Sequence, residues 1–349
     1  MPSLKEIKGH IGSVKSTLKI TSAMKLVASA KLRKAQLAIE GMRPYEQRLS
    51  AILAALSAEI AARQDRGEAV GEVSTLYTTP REEIRRVAIV AIASNSSLCG
   101  GFNANALRLT LDTIDAYRAA GVKDITVYSI GRKIADAMRK VGYSSPKDYT
   151  KLAEHPAYAP AADLTEALME AFADGRYDRI DIIHNHFVST ASQKPVLVTF
   201  LPAGAGSREG IEVSEELRSL RSLRPLPQST SSSQSDNSYL AGPSPYPCPG
   251  VDTSSDTSIP SRQISGAGYL VEPDPATAYT ELLPQVIRLG LYTALLDSAA
   301  AEHAARTIAM QTATDNAEDL LDTLTLEYNK GRQQKITAEL LDIVGGMAK

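Results

Sequence analysis

The chain has no tryptophan, only four phenylalanines and two cysteines, and no apolar run near the roughly 18 residues that a membrane-spanning helix needs. Each scarcity excludes something. Cys99 and Cys248 lie far apart and form neither a disulfide framework nor a metal or redox motif, which suits a reducing compartment. A net charge of −2 with no tryptophan argues against a general nucleic-acid binder. No short basic segment followed by an apolar one stands at the start, so no leader is expected. What is plentiful is ordinary core material: 43% of 349 residues are hydrophobic, enough for two or three domains.

Residues 1–62 read as one long helix. Leu4, Ile7, Ile11, Val14 and Leu18 alternate three and four apart, the seam of a coiled coil, and the same register continues through Thr21, Lys25, Ala28, Leu32, Ala35 and Ile39. At about 1.5 Å per residue the first forty residues would make a rod roughly 60 Å long, more than an ordinary domain can cover. Residues 1–35 carry eight Lys or Arg and one acid, Glu6. Such a basic helix is also the pattern of a mitochondrial targeting peptide or a membrane-surface helix. The excess of Lys over Arg and the unbroken heptads favour a shaft.

Residues 63–83 form a polar linker, and over 84–202 strand and helix alternate. IRRVAIVAIA, DITVYSIG, DRIDIIHNHFVS and KPVLVTFLP have strand character, and helices lie between the first three. That order predicts a small, mostly parallel, Rossmann-like sheet whose last strand is an antiparallel edge. Residues 203–266 are dominated by Ser, Pro, Gly and Thr and bury too little apolar surface to offset chain entropy, so they read as a flexible insertion. Residues 267–349 form a second long helical stretch, with Pro284 as the expected break. From Asp297 to Asp342 it holds nine acids against four Lys or Arg. A basic first helix and an acidic last one are expected to pair antiparallel. The fold class is therefore α/β: a coiled coil of the terminal helices plus the small Rossmann-like domain.

Chemistry is hard to place on this chain. SNSSLCGGFNAN, at a strand-to-helix turn, lacks the G-x-G-x-x-G spacing of a dinucleotide loop and the G-K-[ST] ending of a P-loop. Cys99 there has no sequence-adjacent base and reads as a structural thiol. His184 and His186 share a strand face and could share a metal, but no third ligand at suitable spacing accompanies them, so no metal and no cofactor are expected. A nucleotide-binding protein or thiol enzyme with coiled-coil arms is one alternative, and an unrelated coiled-coil adaptor another.

KEIKGHIGSVKSTLKITSAMKLVASAKLRKAQ, SSLCGGFNAN, EHAARTIAMQTATDNAEDLL and EYNKGRQQKITAELLDIVGG, in that order, resemble the gamma subunit of F-type rotary ATP synthases. The resemblance implies a non-catalytic central shaft. Its coiled coil would enter a ring of three alpha and three beta subunits, and its foot would meet epsilon and the membrane c-ring. Proton flow would turn it, with no direct membrane span. It implies coupling contacts with beta and alpha at Met24, Lys25, Arg306, Arg332, Gln333 and Thr337. A shaft tip is implied at Ile343, Val344 and Met347, and a surface facing the c-ring and epsilon at Tyr269 and Glu272. With no targeting peptide expected, the implied location is the cytoplasmic side of a bacterial inner membrane. Two departures stand out. The family has an acid and a base before its Gly-Leu-Cys-Gly, where this chain has Asn95, Ser96 and Ser97, so no contact by charge is expected there. The insertion lies where photosynthetic gamma subunits carry a cysteine pair, but it holds only Cys248, so no thiol switch is expected.

Overall fold

A computed structural model describes residues 3–67, 75–81, 83–203 and 271–347, with side chains as far as Leu341. Tyr269, Cys248 and nearly all of the Ser/Pro-rich segment lie outside the described residues. Helix α1 spans Leu4–Asp65, and α6, the last, spans Pro275–Met347. Between them come β1 (Arg86–Ile92), α2 (Phe102–Ala119), β2 (Asp124–Ile130), α3 (Arg132–Lys140), α4 (Thr150–Glu154), α5 (Tyr158–Ala173), β3 (Arg179–Phe187) and β4 (Gln193–Leu201). The sheet order is β2-β1-β3-β4. β1 is parallel to both neighbours and β4 is an antiparallel edge.

β1 supplies both cores of the foot because alternate side chains of a strand leave opposite faces. Ala88, Val90 and Ile92 pack with Leu164, Leu168 and Phe172 of α5 and with Leu283, Ile287, Leu291 and Leu295 of α6. Val87, Ile89 and Ala91 pack with Ala106, Ile114 and Tyr117 of α2 and with Ile134 and Met138 of α3. The first part of α6 is thus a helix of the foot. Asp178, just before β3, fixes the entry to β1: its carboxylate accepts from the Arg85 and Arg86 backbone N–H groups at 3.0 and 2.9 Å and from the guanidinium groups of Arg81 and Arg86. Burial raises its pKa, but those donors outweigh burial and leave it below the usual value.

α1 begins at a capping box. The Glu6 N–H donates to Ser3 Oγ, and the Ser3 N–H donates to the Glu6 carboxylate at 2.9 Å. The two long helices run antiparallel. Leu49 packs on Val286 and Leu289, Leu32 on Ala300 and Ala304, and the Thr314 hydroxyl meets that of Thr21 at 3.0 Å. Leu4 lies against Gly331. Each step forward along α1 is matched by a step back along α6. Every seam position from Leu4 to Ile39 is buried or half-buried.

Pro284 does not break α6, which is continuous through it, as α1 is through Pro44. A proline removes one helical N–H bond and crowds the preceding turn. The buried Leu283, Val286 and Ile287 around Pro284 hold the helix on the sheet and on α1 regardless.

Candidate functional site

Three surfaces and one loop gather the residues singled out in the sequence. The loop is Ser94 to Gly101. Its polar groups are engaged within the chain: Ser94 N–H donates to Asn103 Oδ1 at 3.0 Å, Asn95 Nδ2 to the Thr150 carbonyl at 2.8 Å, and Arg132 N–H to Asn95 Oδ1 at 2.9 Å. Gly100, at φ +56°, makes the turn toward α2 in a conformation that glycine adopts freely. Cys99 is buried among Phe102, Ala301 and Ala305, with its sulfur 3.2 Å from Asn103 Nδ2. The cavity beside this loop holds about 190 Å³, below the roughly 300 Å³ at which small-molecule pockets begin. The thiol is a packing group here.

Arg306 of α6 reaches this loop. Its guanidinium donates to the Ser97 carbonyl at 2.7 Å, to Ser96 Oγ at 2.9 Å and to Glu302 one helical turn back at 2.6 Å. Its side chain is only 11% exposed. The loop has no charge to offer, so the arginine uses neutral acceptors there and finds its counter-charge within its own helix. Burial raises the Glu302 pKa, while Arg306 and Lys31 of α1 act against it. Beside it, burial pushes His303 down to about 4, helped by the charges of Lys31 and Arg306, so its imidazole is neutral at pH 7.

Met24 and Lys25 lie half-buried along the seam. The residues that face fully outward at this level are Ile20, Leu26 and Val27, which are 58–70% exposed. The signal for them was in the sequence: they are apolar residues off the seam register.

Beyond Gly331, α6 has no partner helix among the described residues. From Arg332 to Met347 it continues for roughly 24 Å at about 1.5 Å per residue. Arg332, Gln333 and every side chain to Leu341 are exposed, including the apolar Ile336, Leu340 and Leu341. The Thr337 hydroxyl donates to the Gln333 carbonyl of its own helix at 3.0 Å. Ile343, Val344 and Met347 continue the helix, and their side chains lie outside the described residues. Glu272 is exposed just before α6. The expected coupling residues therefore do not converge: the four on α6, from Arg306 to Thr337, string over roughly 45 Å of helix, and Met24 and Lys25 lie on α1.

The absence of a third ligand for the histidine pair needs correction. Asp297 of α6 supplies one, 111 positions from His186 in the chain, with Oδ2 2.7 Å from His186 Nδ1 and 3.3 Å from His184 Nε2. Local spacing could not disclose a partner carried by a distant helix.

A two-stranded antiparallel helical shaft on an α/β foot, whose last helix runs on past its partner among the described residues, defines an α/β protein with a coiled-coil stalk. Comparison with known proteins gives the family. The ATP synthase family matches residues 3–348. ATP synthase gamma chains of Phocaeicola vulgatus and Bacteroides fragilis are 44% and 43% identical, each alignment covering 99% of both chains. A chain of the Tetrahymena thermophila mitochondrial ATP synthase central stalk and c-ring structure is similar at a TM-score of 0.48 and 16% identity, covering 84% of this chain and 99% of that one. The chain belongs to the family of ATP synthase gamma chains. No helix among the described residues is long and apolar enough to cross a membrane.

Proposed function

We propose that the chain is the non-catalytic rotor shaft of a proton-driven ATP synthase, held on the cytoplasmic side of a bacterial inner membrane. Its foot meets epsilon and the c-ring, with Tyr269 and Glu272 on that side, and its coiled coil stands inside a ring of three alpha and three beta subunits. The observation that carries this reading is the end of α6, where Ile336, Leu340 and Leu341 stand exposed on a helix with no partner among the described residues. An apolar face of this kind calls for a surrounding surface, and the tip residues Ile343, Val344 and Met347 would turn within it.

A shaft shifts a neighbour's conformational equilibrium only by touching its states unequally. The outward faces of this one are unlike: Ile20, Leu26 and Val27 on α1, Leu320 and Leu326 on α6, then the polar Arg332 and Gln333. Met24, Lys25, Arg332, Gln333 and Thr337 make the contacts with beta and alpha. Arg306, which the resemblance also counts among these contacts, ties the signature loop to α6. Affinity purification of the tagged chain from native membranes tests the assignment. Alpha and beta should co-purify in equal amounts, three of each per chain, with epsilon and the c-ring present. Their absence would leave a coiled-coil adaptor as the better reading. Calorimetry with ATP, ADP and NAD on the isolated chain should show no binding at the signature loop.

A further inference from the structure

The cluster of His184, His186 and Asp297 is not explained by the shaft. We propose that it is a binding site for one divalent transition-metal ion of the zinc class, joining β3 of the foot to α6. Two imidazole nitrogens and one carboxylate oxygen lie within 4.8 Å of one another. Ligand atoms around a tetrahedral zinc, with bonds of about 2.1 Å, stand about 3.4 Å apart. The His184 to Asp297 separation of 3.3 Å already matches, and His186, at 2.7 Å and 40% exposed, needs only a small rotation. The other carboxylate oxygen is held by the Phe187 backbone N–H at 3.2 Å, the kind of outer hydrogen bond that orients a ligating carboxylate. His184 would ligate through Nε2, the nitrogen that faces Asp297; its Nδ1, on the far side of the ring, is buried with no partner among the described residues and gains none from the ion.

All three side chains line a groove of about 780 Å³ between α1, α6 and the sheet, which leaves room for water as a fourth ligand. Arg43 of α1 lines the same groove, and its charge bears on His186, so it opposes any cation there. Two imidazoles select zinc, cobalt or nickel over magnesium and calcium, which prefer all-oxygen sites. The position gives the ion a structural consequence. Asp297 sits between Leu295, which covers the sheet, and Ala300, which packs on Leu32 of α1. An ion there would pin the foot to the shaft.

This proposal does not depend on the rotor assignment, since the purified full-length chain tests it. After removal of metals with a chelator, the chain should bind one zinc per molecule and give the visible absorption of four-coordinate Co²⁺. It should also melt at least about 3 °C higher at zinc concentrations about 100-fold above Kd. His186→Gln should weaken zinc binding by at least the 10–100-fold that loss of even an outer partner costs and abolish the rise in melting temperature. Arg43→Gln should tighten binding severalfold. Equal zinc affinity in the wild-type and His186→Gln chains, or no thermal response in the wild type at about 1 mM zinc, would overturn the proposal. Should His186→Gln lose helix content by circular dichroism, Arg43→Gln decides: tighter binding supports the site, and unchanged binding overturns it.

Discussion

Single residues set the joints between loop, foot and shaft. Gly131, between β2 and α3, has φ +111°, and a Cβ there would stand 2.1 Å from the Ala93 carbonyl oxygen. Backbone cannot yield as a flexible side chain can. Gly131→Ala should therefore cost about 3 kcal/mol or more, while Gly142→Ala, also at positive φ but with open space around it, should cost about 1 kcal/mol. Urea midpoints of the two variants test the difference. His303 gives a pH signature. Its folded-state pKa is depressed from 6.5 to about 4, so the unfolded chain takes up a proton that the folded chain resists. Stability from this group is complete above about pH 6.5 and is lost as pH falls toward 4. His303→Gln should flatten that part of the curve of urea midpoint against pH; a variant curve parallel to the wild type would refute the assignment. Arg306→Ala removes the clamp on Ser96 and Ser97 and leaves Glu302 nearly buried without its partner, so it should destabilise the chain by about 3 kcal/mol. Hydrogen exchange at residues 94–101 should accelerate in the same variant.

At the level of elements the seam was the most legible feature. A heptad states which face of a helix is covered, and the residues from Leu4 to Ile39 that carry it are the covered ones. Leu32, against Ala300 and Ala304, tests the pairing: Leu32→Ala should cost about 2–3 kcal/mol in a chemical denaturation series. The strands were legible for a related reason, since β1 is apolar and buried from Val87 to Ile92 and lies between two helix layers. What local pattern could not supply was tertiary. Arg306 reads as an outward charge on a helix until the signature loop is folded against it. The histidine pair reads as incomplete until α6 brings Asp297. Pro284 reads as a break because the apolar residues that hold its helix in place act through contacts far away in sequence.

At the scale of the molecule the account rests on one helix that serves twice. α6 is a core helix of the foot through Leu283, Ile287, Leu291 and Leu295, pairs with α1 from Val286 onward and continues along the shaft, so torque applied to the foot would pass through continuous helix rather than a hinge. The lone end should then be where the shaft acts. Replacing Arg332 and Gln333 together with alanine, at exposed positions, should leave the melting temperature of the isolated chain within about 1 °C, as for other surface substitutions. ATP synthesis and hydrolysis by the assembled enzyme should nonetheless fall; unchanged coupled activity would refute those contacts. The most direct test of the rotor assignment is to watch the shaft turn. An alpha–beta ring fixed to a surface through beta, with a bead attached to the foot of this chain, should rotate in discrete steps in one direction when ATP is supplied. A bead that stays still while the same assembly hydrolyses ATP would contradict it.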